Sequence, residues 1–116
     1  MSVENFGVDQ AIINVEDGMQ RVLGNKKLFF KLLSNSKIQE NSDELIAAME
    51  SGDLESARLI AHKIKGIAAN LSMTALYQVI VELEANLKAG VNGSMDELRK
   101  VVDLSVKAIS QLVEEA

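Results

Sequence analysis

Apolar residues recur every three or four positions along most of the chain, which is the spacing that lines one face of an α-helix. The clearest stretch runs from about Asp53 to Leu71, with apolar residues at intervals of 3, 4, 3, 4 and 3 positions. These residues are Leu54, Ala57, Ala61, Ile64, Ala68 and Leu71. The pattern predicts a helix whose apolar stripe faces a core.

Two more helices are predicted toward the C-terminus, from about Met73 to Ala89 and from about Met95 to Glu115, with residues 90–94 as a loop. The residues expected to face the core are Leu76, Val79, Ile80, Leu83 and Leu87, then Leu98, Val101, Val102, Ser105, Ile109, Leu112 and Val113. Gly52 suits the end of a preceding helix, while Asp53 and Ser72 suit the N-caps of the helices that follow them.

The N-terminal half is less regular. A short helix is predicted from about Val15 to Leu23, ending at Gly24-Asn25. A single long helix is predicted from about Lys26 to Ser51, although its polar middle, residues 34–42, is able to bend or interrupt it. Residues 1–14 show no clear period and are expected to form a leader.

Together these elements predict one all-α domain over residues 15–116. Short connections make neighbouring helices antiparallel, so we expect an up-down-up-down four-helix bundle with a short N-terminal cap helix. A length of 116 residues suits one domain. The absence of proline and an aromatic content of only 3% favour long helices over a small sandwich or barrel.

Composition narrows the function further. The chain has no cysteine, which excludes disulfides, thiolate zinc sites and cysteine nucleophiles. Its net charge of −5 argues against nucleic acid as a partner. The first 20 residues contain no Lys or Arg and show no signal-peptide pattern, and no apolar run approaches the length of a membrane span. We therefore expect a cytoplasmic protein that does not bind a membrane.

The only histidine, His62, lies beside the core stripe of its helix rather than within it. The residues sharing its face within two helical turns are Arg58, Leu59, Lys65, Gly66 and Ala69. A glycine inside a helix costs about 0.5–1 kcal/mol relative to alanine, so its presence one turn from the imidazole calls for a packing or access reason. Without a β-carbon at that position, a partner has room to approach the ring.

Charge around His62 differs from that of the whole chain. Residues 58–81 contain Arg58, Lys63 and Lys65 but no Asp or Glu, which favours an anionic group such as a phosphoryl beside the imidazole. Counting outward from the turn near Ser72, antiparallel packing places Glu82 and Glu84 at the height of His62. A Glu84 carboxylate accepting from Nδ1–H would leave Nε2 as the free nucleophile.

The string from Ala61 to Leu71, AHKIKGIAANL, resembles the signature of histidine-containing phosphotransfer (HPt) domains, the phosphorelay modules of two-component signalling. The resemblance extends over residues 52–57, over Leu83-Glu84 and over the lead-in at 15–29. It differs where many members have Gly and a small residue, because this chain has Ser72-Met73. It differs also at Ala68, where a small polar residue is common.

The resemblance implies roles for individual residues. His62 would be phosphorylated, Lys65 would help neutralise the phosphoryl group, Gly66 would give the partner room, and Glu84 would hold the imidazole. The residues expected to contact the partner around this centre are Arg58, Leu59, Lys63 and Ala69. The family's fold, a four-helix bundle with an N-terminal cap helix, agrees with the fold predicted from the apolar pattern.

Three functions remain open at this point. The leading one is a monomeric phosphocarrier that receives a phosphoryl group from a receiver domain's phosphoaspartate and passes it to another receiver. It needs no cofactor on this chain, and the family implies that Mg²⁺ belongs to the receiver. The second is the phosphoacceptor domain of a hybrid or chemotaxis-type histidine kinase, labelled by a separate ATP-binding core, because the chain itself has no Gly-rich nucleotide loop. The third is a helical adaptor in which the histidine is incidental.

Overall fold

A computed structural model of the chain describes residues 7–115, and in this range it is built from helices with no strand. The helices are α1 (Val15–Arg21), α2 (Lys26–Ser34), α3 (Ile38–Glu50), α4 (Leu54–Asn70), α5 (Thr74–Lys88) and α6 (Met95–Glu115). The all-α class predicted from the apolar periodicity is confirmed.

The prediction of one long helix from Lys26 to Ser51 is wrong, because two helices, α2 and α3, occupy this range. Asn35 caps the C-terminus of α2, and Lys37 adopts a left-handed conformation with φ of 53° just before α3 begins. The side chains of Leu33 and Ile38, on either side of the break, are both buried. The polar residues between them have no apolar face to contribute, so turning the chain there brings both flanking side chains into the core.

Ser72 is not the N-cap of α5, as the sequence suggested. Met73 occupies that position without a side-chain hydrogen bond, while Ser72 precedes it with φ of 56°. The Ser72 hydroxyl instead donates to Oδ2 of Asp17 at 2.6 Å, and its carbonyl accepts from the backbone N–H of Asn14 at 2.9 Å. The serine therefore ties the α4–α5 turn to the start of α1. By contrast, Asp53 caps α4 as predicted, accepting from the backbone N–H of Ser56.

The core lies among the four longer helices. Helix α4 packs against α3 and α5, and α6 packs against α2, α3 and α5. The predicted stripe of α4 is buried except for Leu54, which is half-buried. In α6, Val113 is exposed and Ile109 is only partly buried where core positions were expected, and Ala108 is buried although it was not predicted. Within the predicted leader, Val8 and Ile13 are buried and join the same core.

Gly18 provides a test of this packing. It is buried in α1, and a β-carbon there would overlap the ring of Phe29, which is itself fully buried. Replacing Gly18 by alanine is expected to lower the free energy of unfolding by about 1–3 kcal/mol, the usual cost of overpacking a core. Gly66→Ala is the matched control, because a β-carbon there meets no atom within 4 Å. Urea denaturation that found equal losses for the two variants would contradict this packing.

Candidate phosphotransfer site

His62 lies in the middle of α4 with its side chain 67% exposed. Ala61 and Ile64, on either side of it in sequence, are buried in the core. The buried stripe holds the helix in place, and the imidazole projects from its border. A rigid helix thus carries a ring that an incoming molecule can reach.

Glu84 on α5 lies against this ring. Its Oε2 is 2.8 Å from Nδ1 of His62, and its side chain is only 4% exposed. A carboxylate accepts hydrogen bonds and donates none, so Nδ1 donates to Glu84 and Nε2 is the ring nitrogen that this contact leaves available. The contact between His62 and Glu84 that helix counting predicted is present.

The second oxygen of the same carboxylate binds Lys65. The Nζ of Lys65 is 2.6 Å from Oε1 of Glu84, and the lysine side chain is mostly buried. The hydrogen bond from Lys65 lowers the pKa of Glu84 most, and the hydrogen bond from His62 lowers it further, while burial opposes both. Glu84 is therefore an anion held between two nitrogen donors.

Sequence reasoning assigned Lys65 to the phosphoryl group and missed its pairing with Glu84. The sequence did carry a signal for this pairing. Lys65 lies three residues after His62, and this spacing turns both side chains toward the same neighbouring helix. Lys88 was also missed; its charge, one turn after Glu84 on α5, helps to lower the pKa of that carboxyl. The carboxylate is thus surrounded by more positive charge than the pattern around His62 indicated.

The other predicted residues lie around His62, Lys65 and Glu84 without pairing with Glu84. Arg58 pairs with Glu55 at 3.0 Å one turn closer to the N-terminus of α4, and Leu59 is exposed beside it. Lys63 is exposed on the flank that faces α3, and Ala69 is partly buried two turns beyond His62. Among the residues that the structure describes, only Lys65 and His62 pair with Glu84.

Gly66 has no packing explanation among residues 7–115. It is exposed, and a β-carbon added to it would meet no atom within 4 Å. A helix that tolerates glycine in open space, one turn from His62, leaves room for a molecule outside the chain. The packing reason suggested by the sequence is therefore excluded, and access for a partner stays a prediction.

The Glu84 carboxyl predicts a specific pH dependence of stability. A glutamate in an unfolded chain titrates at about 4.3, and the folded-state pKa of Glu84 is lowered by Lys65 and His62. Its stabilising contribution is thus complete above that pH and is lost as the pH falls through the folded-state pKa. Urea denaturation of the wild type and Glu84→Gln should show a stability difference at neutral pH that shrinks as the pH falls below the unfolded-state value. A stability difference that stayed constant with pH, or an equal difference in the exposed control Glu82→Gln, would contradict this role of the Glu84 carboxylate.

Within residues 7–115, no helix is both long and apolar enough to cross a bilayer. The described side chains also include no group of three or more His, Asp or Glu residues placed to hold a metal ion.

Comparison with known proteins gives one match. The family model described as the Hpt domain matches residues 36–116, which include His62, Lys65, Gly66 and Glu84. No curated protein and no solved structure matches the chain. The matched range covers well over half of the sequence and contains its only histidine. The chain belongs to the Hpt domain family, whose members transfer phosphoryl groups through a histidine in two-component phosphorelays.

Proposed function

We propose that this chain is a phosphocarrier that accepts a phosphoryl group on Nε2 of His62 from a receiver-domain phosphoaspartate and passes it to the aspartate of another receiver. The observation that carries the proposal is the pairing of an exposed imidazole with a buried carboxylate, 2.8 Å from its Nδ1, in an Hpt domain with one histidine. Because this pairing engages Nδ1, it supports Nε2 as the nitrogen that attacks phosphorus.

The transfer step follows from this geometry. The Nε2 lone pair attacks phosphorus in line, the N–P bond forms, and the bond from phosphorus to the receiver's carboxylate oxygen breaks, leaving that carboxylate as the leaving group. The imidazole keeps its Nδ1 proton and gains positive charge. The buried Glu84 carboxylate, already hydrogen-bonded to that proton, stabilises the charge as it develops.

Lys65 and Gly66 support the same step. The Lys65 ammonium lies on the other oxygen of Glu84, within one turn of the ring, where it adds positive charge beside the incoming phosphoryl group. Gly66 keeps the opposite side of that turn open. We assign the surrounding residues Arg58, Leu59, Lys63 and Ala69 to contact with the receiver.

We also propose a helix arrangement, an oligomeric state and a cellular location for the domain. The contacts of α3, α4, α5 and α6 form a closed ring, which supports an antiparallel up-down-up-down bundle with α1 as its cap helix. We propose that the domain acts as a monomer in the cytoplasm, without an ATP site or cofactor of its own. Mg²⁺ then belongs to the acidic site of the receiver.

Receiver-dependent labelling tests the proposal. The chain is mixed with receiver domains, each phosphorylated on its aspartate, and acid-labile phosphate on the chain is followed over seconds to minutes. The proposal expects at least one receiver to label the chain rapidly. A parallel sample supplies ATP and a histidine-kinase core without any receiver. Labelling only in that second sample would favour a phosphoacceptor domain of a kinase and contradict the relay assignment.

A further inference from the structure

An open groove of about 600 Å³ lies beside the His62 face, between the α2–α3 junction and α4. On α4 it is bordered by Lys63 and Ile67, which directly follow His62 and Gly66 in sequence. The groove therefore begins about a quarter turn around α4 from the imidazole. A molecule that docks over His62 can therefore also contact the groove without shifting along α4.

Asn41 on α3 is the unusual residue of this groove. Its residue surface is only 7% exposed, and its side chain forms no hydrogen bond with any described residue. In the described part of the chain, no fully enclosed side-chain nitrogen or oxygen lacks a partner. The Asn41 carboxamide must consequently be open at the groove that it lines. An amide that is covered on every other side and opens only at the groove can make its hydrogen bonds to a molecule that fills the groove.

The lining defines the chemistry of that partner. Lys37 and Lys63 are offset by Glu40 and Glu44, so the groove favours neither an anion nor a cation. Leu32 and Ile67 supply apolar wall. A carboxamide offers one acceptor and a pair of donor hydrogens, which matches the N–H and C=O of a peptide backbone. An uncharged peptide segment with an apolar side chain fits these features.

We propose that Asn41 is a specificity-determining contact for the receiver domain, pairing with the backbone of an uncharged receiver loop that lies in this groove. The inference rests on the proposed function, because the continuity of the groove with the His62 face is what identifies the occupant as the docked receiver. Asn41 then contributes to binding the receiver and takes no part in the chemical step.

The test separates binding from chemistry. His62 is first phosphorylated with phosphoramidate, a small donor that needs no docking surface, and transfer is then measured to the receiver found by the labelling experiment above. Asn41→Leu keeps the side-chain size and removes the amide. It should raise the KM for the receiver about tenfold, the effect of roughly one hydrogen bond, and leave the maximal transfer rate unchanged. It should also unfold at the same temperature as the wild type or higher, because the amide makes no hydrogen bond to any described residue that the substitution would remove.

Two controls are available in the chain. Ser42→Ala alters a buried polar residue next to Asn41 that lies outside the groove, and it should change neither KM nor rate. Leu32→Ser should raise KM, whereas Leu104→Ser on α6 should not, although both leucines are 41% exposed. A wild-type KM in Asn41→Leu, or a raised KM accompanied by a lower unfolding temperature, would overturn the inference.

Failure of the proposed function has a different signature. In that case phosphoramidate leaves the wild-type chain without phosphohistidine, or no receiver accepts the group from it. If the wild type transfers normally and Asn41→Leu matches it, the inference about Asn41 fails by itself.

Discussion

Replacing His62 by glutamine is expected to abolish phosphoryl uptake from every receiver and from phosphoramidate. An amide nitrogen shares its lone pair with the carbonyl and cannot attack phosphorus, and the sequence contains no other imidazole. Glutamine still has an N–H group to donate toward the Glu84 carboxylate, which would otherwise lose one of its two partners. The loss of labelling should therefore occur without loss of the fold.

Acid-labile phosphate is the measurement, with circular dichroism and thermal unfolding as the check on folding. The His62 side chain is largely exposed, so the unfolding temperature should remain close to that of the wild type. A His62→Gln protein that keeps its fold and still takes up acid-labile phosphate would show that the phosphoryl group resides elsewhere.

Glu84→Gln is expected to slow phosphoryl uptake about 5–15-fold, because a charge-assisted hydrogen bond of about 1.5–3 kcal/mol becomes a neutral one of about 0.5–1.5 kcal/mol. The amide keeps the size of the side chain but no longer supplies the negative charge that stabilises the phosphorylated ring. It also leaves Lys65 without an anionic partner in a mostly buried position. The rate should fall with receiver and phosphoramidate alike, since the effect lies in the chemical step.

Glu82→Gln is the matched control, because Glu82 is an exposed glutamate on the same helix with no ion pair to the site. It removes the same charge from the chain and should leave the uptake rate unchanged. Equal slowing in the two variants would mean that overall charge, and not the contact with Nδ1, sets the rate. A fall with the receiver alone would place Glu84 in docking instead.

The placement of His62 beside Glu84 was predictable in part, because helix counting narrows the neighbours of His62 to Glu82 and Glu84. Both residues lie about the same number of positions from the turn at Ser72, and regular helices keep that count in register. The break at Lys37 was not predictable in the same way, since the polar stretch around it is compatible with a continuous helix or an interrupted one. What decides is the simultaneous burial of Leu33 and Ile38, a property of the packed chain.

The remaining features of the site depend on side-chain direction. The Lys65 side chain extends to the second oxygen of Glu84. Residue spacing defines the position of such a contact only to within one helical turn, so it does not predict which atom the ammonium group meets. The role of Ser72 differs from the predicted cap because its hydroxyl meets Asp17, 55 residues away in sequence. Contacts of this kind arise from tertiary packing and leave no local pattern in the sequence.

In the phosphorylated chain, we expect Nε2 of His62 to carry the phosphoryl group while Nδ1 stays protonated against Glu84. Phosphorus and nitrogen NMR of the phosphorylated chain, with ¹⁵N-labelled histidine, tests it most directly. We predict one phosphohistidine signal at alkaline pH, with phosphorus coupled to Nε2 and a proton on Nδ1. Phosphorus coupled to Nδ1, or a phosphorus signal with no coupling to the imidazole, would contradict it.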